Sequence, residues 1–301
     1  MTCAGIDIGG TKIEAQIFNS AWQTLSVKRV ATPLDYDTLL TVIADLVAWC
    51  RSETTQLDAV GVASAGLINP KTQLASAANL PISGRPFAAD IEKAVGQPIP
   101  FVNDGRALAL SEAMYGAGKG SRTVAALVIG TGVGGGIVVD GKLPSGGMGA
   151  SGEFGHMPAP AHIVAEAKLP IFDCGCGRKG CIETYVAGPG LSRMCFHLTG
   201  QDAQVADIAE GRNDRFFEVW NLWCRMTAEL IHTIAVVADP NIFVLGGGLS
   251  AIPNVTDDLT SSALKAQLGD MSVAEILVAQ GGDASGARGA AIAAMQGISD
   301  A

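Results

Sequence analysis

Three cysteines lie within eight positions in the segment CGCGRKGCIE, residues 174–183. Thiolates at such short spacing are typical of a tetrahedral zinc site, whose ligands are cysteine and histidine. The whole chain has seven cysteines, and an odd number in this pattern fits a reducing compartment better than a disulfide framework. We interpret Cys174, Cys176 and Cys181 as metal ligands; the alternative is three buried or oxidation-prone thiols.

A fourth ligand must come from outside this segment. His156, in GEFGH, and His162, in the stretch before the cysteines, each offer an imidazole that would complete a Cys3His set. The residues alone leave the choice between the two histidines open.

Three glycine-rich loops follow predicted strands: DIGGTK at 7–12, GTGVGGG at 130–136 and GGGLS at 246–250. Glycine lets backbone N–H groups approach an anion, and Thr11, Lys12 and Thr131 can add donors. One such loop is more often a tight turn, but the three together predict a nucleotide site. The second loop has the letters of a dinucleotide fingerprint, yet it runs into the β-type sequence GIVVDG rather than a helix, which disfavours a dehydrogenase.

The elements that position these residues alternate between strands and helices, which predicts an α/β protein. At the N-terminus, two predicted strands are joined by a glycine loop. The same arrangement recurs in the middle of the chain, which indicates two related halves. Predicted strands cover 4–8, 13–18, 57–63, 99–104, both ends of 123–141, and the start of 241–250. Predicted helices cover 37–51, 106–116, 184–199, 213–238 and 286–295.

Composition excludes several classes of protein. The formal charge is −9 and no cluster of Lys and Arg is present, which argues against a nucleic-acid partner. The longest stretch without an ionisable residue contains GTGVGGG and cannot form an apolar membrane helix, and MTCAGIDIGG lacks the features of a signal peptide. We expect a cytoplasmic protein without a nucleic-acid or membrane partner.

The motifs DIGGTKIE, ND at 103–104, GTGVGGG, GEFGH at 152–156 and CGCGRKGCIE together resemble the ROK group of sugar kinases and repressors, almost end to end. The resemblance implies an actin-like, hexokinase-like α/β ATPase fold with a ribonuclease H-like duplicated core, in which sugar and ATP meet in a cleft between two domains. We expect one domain at 1–118, completed by the C-terminal helix within 286–301, and a larger one at 119–285 that carries the zinc loop. ATP, Mg²⁺, a structural zinc and a homodimer are also implied.

The resemblance assigns roles to individual residues. It implies that Asp104 takes the proton from the sugar 6-hydroxyl, although an N-cap of the following helix is the alternative from the residues alone. It implies that Asp7 faces Mg²⁺ or its waters, and that His156 is the fourth zinc ligand. Lys12 either contacts phosphate or forms a structural ion pair, for example with Glu14. The implied sugar contacts are Asn79, Asn103, Asp104, Glu153, His156 and Glu183, and the implied nucleotide contacts are Asp7, Gly9, Gly10, Thr11, Lys12, Gly130, Thr131, Gly132, Gly134, Gly246, Gly247 and Gly248.

The preferred sugar is a finer prediction. SAANLPISGRPF at 76–87, NDGRALALSEA, GEFGHMPAP and GCIETYVAGPG are most similar to the members of the group that phosphorylate N-acetylglucosamine. Fructose, mannose, glucose and N-acetylmannosamine remain as alternatives. One departure from the family pattern is NDGRAL, which places Gly105 and Arg106 directly after the predicted base.

A different class of function is a sugar sensor. Some members of the group are repressors with a helix-turn-helix domain before the sugar-binding region, but here only a few residues precede Asp7, so we expect no DNA reader. A catalytically silent sensor that acts through protein contacts is the remaining alternative, and Asp104 together with three glycine loops argues against it.

Overall fold

The computed structural model describes residues 1–144, 146–147 and 149–301. It comprises two compact units, the first made of 1–120, 136–151 and 280–301, and the second of 121–135 and 152–279. The domain boundaries expected from the sequence, at 118/119 and 285/286, stay a prediction. The strands are β1 (Cys3–Ile8), β2 (Lys12–Phe18), β3 (Thr24–Ala31), β4 (Ala59–Ser64), β5 (Leu67–Ile68), β6 (Ala75–Ser76), β7 (Phe101–Asn103), β8 (Thr123–Ile129), β9 (Val133–Val139), β10 (Ile242–Gly246) and β11 (Glu275–Val278). The helices are α1 (Tyr36–Ser52), α2 (Phe87–Val95), α3 (Asp104–Met114), α4 (Ala161–Glu166), α5 (Glu183–Val186), α6 (Gly188–Thr199), α7 (Val205–Glu210), α8 (Phe217–Ala238), α9 (Val255–Ala266) and α10 (Ser285–Gln296).

The first sheet has the strand order β3-β2-β1-β4-β7. β1 and β2 form an antiparallel pair, whereas β4 runs parallel to both β1 and β7. In the register, Ile8 lies beside Ser64 and Ser64 beside Asn103, so the carboxyl ends of three parallel strands share one edge. Ligands bind at such an edge in open α/β sheets, and Asp7 and Asn103 lie there.

Helix α10 packs unusually close to the first sheet. A Cβ atom added to Gly5 of β1 would lie 1.7 Å from the carbonyl oxygen of Ala287, and one added to Gly61 of β4 would lie 2.3 Å from that of Ala290. Gly289, on the helix itself, faces the carbonyl of Ala107 in α3 in the same way, at 1.8 Å. Glycine at these three positions removes the side chains that would hold the backbones apart. The C-terminal helix is therefore an integral layer of the first unit.

The other face of the first sheet carries α1. The carboxylate of Asp35 caps this helix by accepting a hydrogen bond from the backbone N–H of Thr38, at 2.8 Å. Apolar residues at helical spacing, such as Leu39, Ile43 and Leu46, are fully or almost fully buried in the core of the unit. The helix predicted at 37–51 is confirmed and is two residues longer.

The second sheet has the strand order β11-β10-β8-β9, and β10 runs parallel to both of its neighbours. This order repeats the order β7-β4-β1-β2 of the first sheet. The repetition agrees with the duplicated core expected from the two strand, glycine loop, strand segments. β9 belongs to the second unit as far as Gly135 and to the first from Gly136.

Helix α8 carries the tryptophan-rich stripe of the sequence. Trp220 and Trp223 stack with ring centroids 4.7 Å apart, and both are buried. The indole N–H of Trp223 donates to the carbonyl of Val186 at 2.8 Å, which satisfies its polar group inside the unit. This pair is core packing. Among the described residues, no helix is both long and apolar enough to cross a membrane.

Candidate active site and metal centre

The first glycine loop connects β1 to β2 in the first unit. The backbone N–H of Gly9 donates to the carbonyl of Lys12 at 3.0 Å, which closes the loop, and the hydroxyl of Thr32 donates to the carbonyl of Gly9 at 2.6 Å. A Cβ atom on Gly10 would lie 3.2 Å from Asn79, so the loop and the Asn79 segment are neighbours. Gly10, Thr11 and Asn79 are exposed, as groups that bind a ligand must be.

Asp7 and Asp104 influence each other electrostatically in the first unit. Burial raises the pKa of the Asp7 carboxyl to about 7, and the negative charges of Asp104 and Glu14 contribute to the rise. Asp104 is exposed, but the surrounding protein removes part of its hydration and raises the pKa of its carboxyl above the usual value. Two carboxyl groups near one strand edge thus disfavour being charged together, which is typical of sites that bind a cation or move a proton.

The first turn of α10 lies directly against Asp7. A Cβ atom on Gly286 would lie 2.3 Å from Oδ2 of Asp7, so only glycine leaves room for the carboxylate there. Sequence reasoning did not identify Gly286 as a site residue, because 279 positions separate it from Asp7 and only the packing of α10 brings them together.

Asn103 and Asp104 follow β7, where α3 begins. The N-cap is Asn103 rather than Asp104: its side-chain oxygen accepts hydrogen bonds from the backbone N–H groups of Gly105 at 2.9 Å and Arg106 at 3.3 Å. Its amide also donates to the carbonyl of Gly66 at 3.1 Å. Asn103 is therefore the N-cap of α3, although Oδ1 of Asp104 also accepts a hydrogen bond from the backbone N–H of Gly105 at 2.8 Å.

Lys12 lies among acidic residues on the outer side of the first loop. Its ammonium is 3.8 Å from the Glu14 carboxylate and 3.5 Å from that of Asp283, and Arg29 pairs with the same two acids. The ion-pair alternative for Lys12 is therefore the arrangement present in the structure.

The second and third glycine loops lie side by side in the second unit. The backbone N–H of Gly130 donates to the carbonyl of Gly132 at 2.9 Å, and a Cβ atom on Gly130 would lie 3.7 Å from the nitrogen of Gly248. Gly247 has φ of 82° and faces the backbone of Ile129, so it too requires glycine. The structure thus brings together Gly130 and Gly248, which are 118 positions apart in the sequence.

A cavity of about 1080 Å³ opens beside these two loops within the second unit. Gly130, Thr131 and Gly248 line it on one side. Residues from 188–212 form another part of the lining, and the backbone N–H of Gly188 donates to the carbonyl of Gly130 at 2.8 Å. The sequence motifs include only the start of this stretch, in GCIETYVAGPG, because the rest matches no motif. The lining residues from this stretch include Gly188, Pro189, Ser192, Gln204, Val205, Glu210 and Arg212. A separate cavity of about 460 Å³, which Phe217 and Lys265 help to line, contains none of the predicted site residues.

The ligand atoms of His156, Cys174, Cys176 and Cys181 all lie within 4.8 Å of one another. Sγ of Cys174 is 3.6 Å from Nδ1 of His156, and Sγ of Cys176 is 3.6 Å from Sγ of Cys181. Ligands about 2.3 Å from a central zinc in a tetrahedron are separated by distances of this size. The donor set therefore fits a metal ion. His162 instead pairs with Glu229 at 3.4 Å, which favours His156 as the fourth ligand.

Two further acidic residues surround this cluster. Oε2 of Glu153 is 3.6 Å from Nε2 of His156. Glu183 accepts a hydrogen bond from the backbone N–H of Val133 with Oε2 at 2.8 Å, while its Oε1 lies 3.7 Å from Sγ of Cys174. All sugar contacts predicted in the second unit, Glu153, His156 and Glu183, thus lie at the metal cluster.

The comparison with known proteins places this architecture in a family. The sequence matches the model of the ROK family over residues 3–296. The chain belongs to the ROK family. The family inferred from the sequence motifs is confirmed.

Individual ROK relatives cover nearly the whole chain. It is 34% identical over 294 residues to N-acetylgalactosamine kinase AgaK of Shewanella sp. (strain ANA-3), covering 96% of this chain and 95% of the relative. It is also 34% identical over 295 residues to N-acetyl-D-glucosamine kinase of Haemophilus influenzae (strain 86-028NP), and the match covers 95% of this chain and 97% of the relative. A ROK glucokinase from Streptomyces griseus, solved with glucose and AMPPNP, superposes with a TM-score of 0.78 at 30% identity, covering 98% of this chain and 100% of that one. The hexokinase-like α/β fold expected from the motifs is confirmed.

Proposed function

We propose that this ROK protein is an ATP-dependent kinase that phosphorylates the 6-hydroxyl of an N-acetylhexosamine, with N-acetylglucosamine as the preferred substrate. The observation that carries the proposal is the exposed Asp104 carboxylate, with its raised pKa, beside Asp7 at the carboxyl edge of the first sheet. Relatives named as N-acetylhexosamine kinases match nearly the whole chain, which supports this class of acceptor.

Asp104 is the proposed general base. Its carboxylate accepts the proton of the sugar 6-hydroxyl, the oxygen forms a bond to the γ-phosphorus of ATP, and the bond from that phosphorus to the β-γ bridging oxygen breaks, so ADP leaves. A carboxylate is a stronger base when its pKa is higher, and a general base works best when its pKa is close to the working pH. The raised pKa of Asp104 therefore makes it a better base than an ordinary aspartate.

Asp7 is the proposed contact for magnesium or its waters. A carboxylate oxygen suits this hard cation. Burial is the main cause of the raised pKa of Asp7, and the negative charges of Asp104 and Glu14, which add to it, also favour a cation there. Bound magnesium supplies positive charge that offsets the charge developing on the phosphates. Gly286 serves this role sterically, since any side chain would displace the Asp7 carboxylate.

The glycine loops are the proposed phosphate contacts. Gly9, Gly10 and Thr11 offer them from the first unit, and Gly130, Thr131, Gly132, Gly134, Gly246, Gly247 and Gly248 from the second. The cavity of about 1080 Å³ beside Gly130 and Gly248 is large enough for the adenosine part of ATP. Lys12 is assigned to its ion pairs with Glu14 and Asp283 rather than to phosphate.

His156, Cys174, Cys176 and Cys181 are the proposed ligands of a structural zinc, which fixes the loop that carries Glu153 and precedes Glu183. Four protein ligands fill a tetrahedron, so the ion has no open position for substrate. Purified protein should contain about one zinc per chain, and Cys174→Ala should lose it while Cys195→Ala, at a buried cysteine outside the cluster, should keep it. Equal zinc content in both variants would rule out this site.

The sugar contacts proposed are Asn79, Asn103, Glu153, His156 and Glu183, together with Asp104. The choice between N-acetylglucosamine and N-acetylgalactosamine turns on the orientation of the 4-hydroxyl. N-acetylgalactosamine was not among the sugars named from the sequence, and it enters because one relative is named as an N-acetylgalactosamine kinase. Fructose, mannose, glucose and N-acetylmannosamine stay as alternatives.

The deciding experiment is ADP release with Mg-ATP across these sugars at low concentration, reported as kcat/KM. We expect the highest value with N-acetylglucosamine. A higher value with N-acetylgalactosamine or a plain hexose would overturn the preference, and no release with any sugar would overturn the kinase proposal in favour of a silent sensor.

A further inference from the structure

The residues after α10 run beside β7, next to the predicted base. The backbone N–H of Asp300 donates to the carbonyl of Phe101 at 2.7 Å. The Ser299 hydroxyl oxygen accepts a hydrogen bond from the N–H of Phe101 at 3.2 Å. The last residues of the chain are therefore held against the strand that ends at Asn103.

The Asp300 side chain joins two residues that flank Asp104. Its Oδ2 accepts a hydrogen bond from the backbone N–H of Asn103 at 2.9 Å, and its Oδ1 is 3.1 Å from Nη2 of Arg106. The side chains of Arg106 and Asp300 are 4% and 8% exposed, so water screens this ion pair little. Burial raises the pKa of Asp300, and the Arg106 charge opposes that rise.

Arg106 is confined from its other sides. A Cβ atom on Gly136 would lie 3.0 Å from the Cα of Arg106, so β9 passes directly over this turn of α3. Nη2 of Arg106 also donates to the carbonyl of Pro144 at 3.3 Å, whereas Nε has no partner within the described residues. Asp300 is the only acidic partner of this guanidinium among the described residues. Without Asp300, the buried guanidinium of Arg106 would carry an uncompensated positive charge in the first turn of α3, two positions after Asp104.

We infer that Asp300, through Asn103 and Arg106, is a positioning residue that fixes the Asp104 carboxylate for phosphoryl transfer. This inference rests on the proposed function of Asp104. Asp300 fixes both ends of the turn that carries the base, the last residue of β7 and the first turn of α3. Small displacements of a catalytic group cost large factors in rate, so a residue that never touches the substrate can control turnover. The NDGRAL sequence, which departs from the family pattern at Arg106, is complemented by the acidic residue near the end of this same chain.

The test compares two variants of the same C-terminal segment. Asp300→Ala removes the contacts with Asn103 and Arg106, whereas Ser299→Ala removes contacts with Phe101 and with the backbone N–H of Ala301 and leaves those with Asn103 and Arg106 in place. With the full chain, Asp300→Ala should lower kcat about tenfold or more while KM for ATP stays within about twofold. KM for sugar should change by a smaller factor than kcat, because the proposed sugar contact Asn103 is held by Asp300 only through its backbone N–H. Ser299→Ala should keep kcat within about twofold. Equal losses of kcat in both variants, or a change in KM alone, would overturn the inference. Asp300→Asn retains an oxygen acceptor for the Asn103 N–H and tests the charge separately, should Asp300→Ala fail to fold; it too should lower kcat, and wild-type kcat would count against the inference.

Hydrogen exchange separates this inference from the proposed function. The amides of residues 103–106 should exchange faster in Asp300→Ala than in wild type, with no such change in Ser299→Ala. Unchanged exchange at these amides would overturn the positioning role whether or not the protein is a kinase. If wild-type protein phosphorylates no sugar while the exchange difference is present, the proposed function fails and Asp300 still orders this turn.

Discussion

The carboxylate of Glu183 accepts a hydrogen bond from the backbone N–H of Val133 at 2.8 Å. Val133 is buried at the start of β9, within the second glycine loop at 130–136, and Glu183 begins α5, just after the last cysteine ligand. The other oxygen of Glu183 is 3.7 Å from Sγ of Cys174. One side chain thus joins the proposed zinc loop to a proposed phosphate loop, two segments that sequence motifs treat as separate.

Glu183→Ala should weaken the binding of both ligands. The variant leaves the buried N–H of Val133 without a partner, which costs about 1–3 kcal/mol, and it frees the second glycine loop from the cysteine loop. Calorimetric titration with N-acetylglucosamine and with Mg-AMPPNP measures the two affinities separately. Glu153→Ala is the matched control, because Glu153 lies at His156 rather than at Val133 and should affect sugar alone. Unchanged nucleotide affinity in Glu183→Ala would show that the hydrogen bond does not connect the loops.

Asp104→Asn should separate chemistry from binding. Loss of a general base lowers turnover by about 10²- to 10⁴-fold, whereas the amide keeps the size and polarity of the side chain, so the sugar dissociation constant should change little. Because burial raises the pKa of Asp104, the base must lose its proton above the usual carboxyl range, and the acid side of the wild-type kcat/KM profile should lie there. The variant should lack that acid limb. Turnover within tenfold of wild type would remove Asp104 from the mechanism.

The local part of the candidate site was predictable from the sequence, because its residues are close in the chain. Cys174, Cys176 and Cys181 span eight positions, so their spacing alone indicates a shared ligand. The hairpin around Gly9 and Gly10 likewise follows from glycines between two short β-type runs. Most predicted helices and strands are present with ends shifted by a few residues, although 184–199 is divided into α5 and α6.

The long-range part was not predictable from local patterns. Gly286 and Asp300 reach Asp7 and Asn103 only because α10 packs on the first sheet, and no motif marks either residue. Helix α9 was also missed, since only Val255, Leu259 and Ala263 are buried and the remaining positions are largely polar. For Lys12 the sequence left two alternatives, and the distance to Asp283, 271 positions away, favours the ion pair.

Gly5→Ala should destabilise the first unit through α10. The new methyl group would lie 1.7 Å from the carbonyl oxygen of Ala287, so the helix must move away from β1. Overpacking of this kind typically costs about 1–3 kcal/mol of unfolding free energy, and contact with backbone rather than a flexible side chain favours the upper end. Urea denaturation measures the change. Gly134→Ala is the control, because nothing lies within 4 Å of the position of its Cβ atom. Equal stability of Gly5→Ala and wild type would mean that α10 does not pack as described.

Asp7→Asn should stabilise the ligand-free protein in a pH-dependent way. The pKa of Asp7 is about 7 in the folded protein and 3.8 for the unperturbed carboxyl of the unfolded chain. Well below pH 3.8 the carboxyl is protonated in both states, so its ionisation does not change the free energy of unfolding. As pH rises from 3.8 towards 7, the carboxyl ionises in the unfolded chain but not yet in the folded protein, which favours unfolding. The wild type therefore loses up to about 4 kcal/mol of unfolding free energy, whereas the asparagine variant has no such loss.

Urea denaturation in EDTA at pH 5 and pH 8 tests this sign. The variant should exceed the wild type in unfolding free energy by clearly more at pH 8 than at pH 5. Magnesium at pH 8 should raise the stability of the wild type and leave the variant unchanged, because a cation that contacts the Asp7 carboxylate binds the folded state and offsets its charge. An unfolding free-energy difference between variant and wild type that is the same at both pH values would mean that the Asp7 carboxyl titrates in the folded protein as it does in the unfolded chain. Neither burial nor the charges of Asp104 and Glu14 would then act on this carboxyl as described.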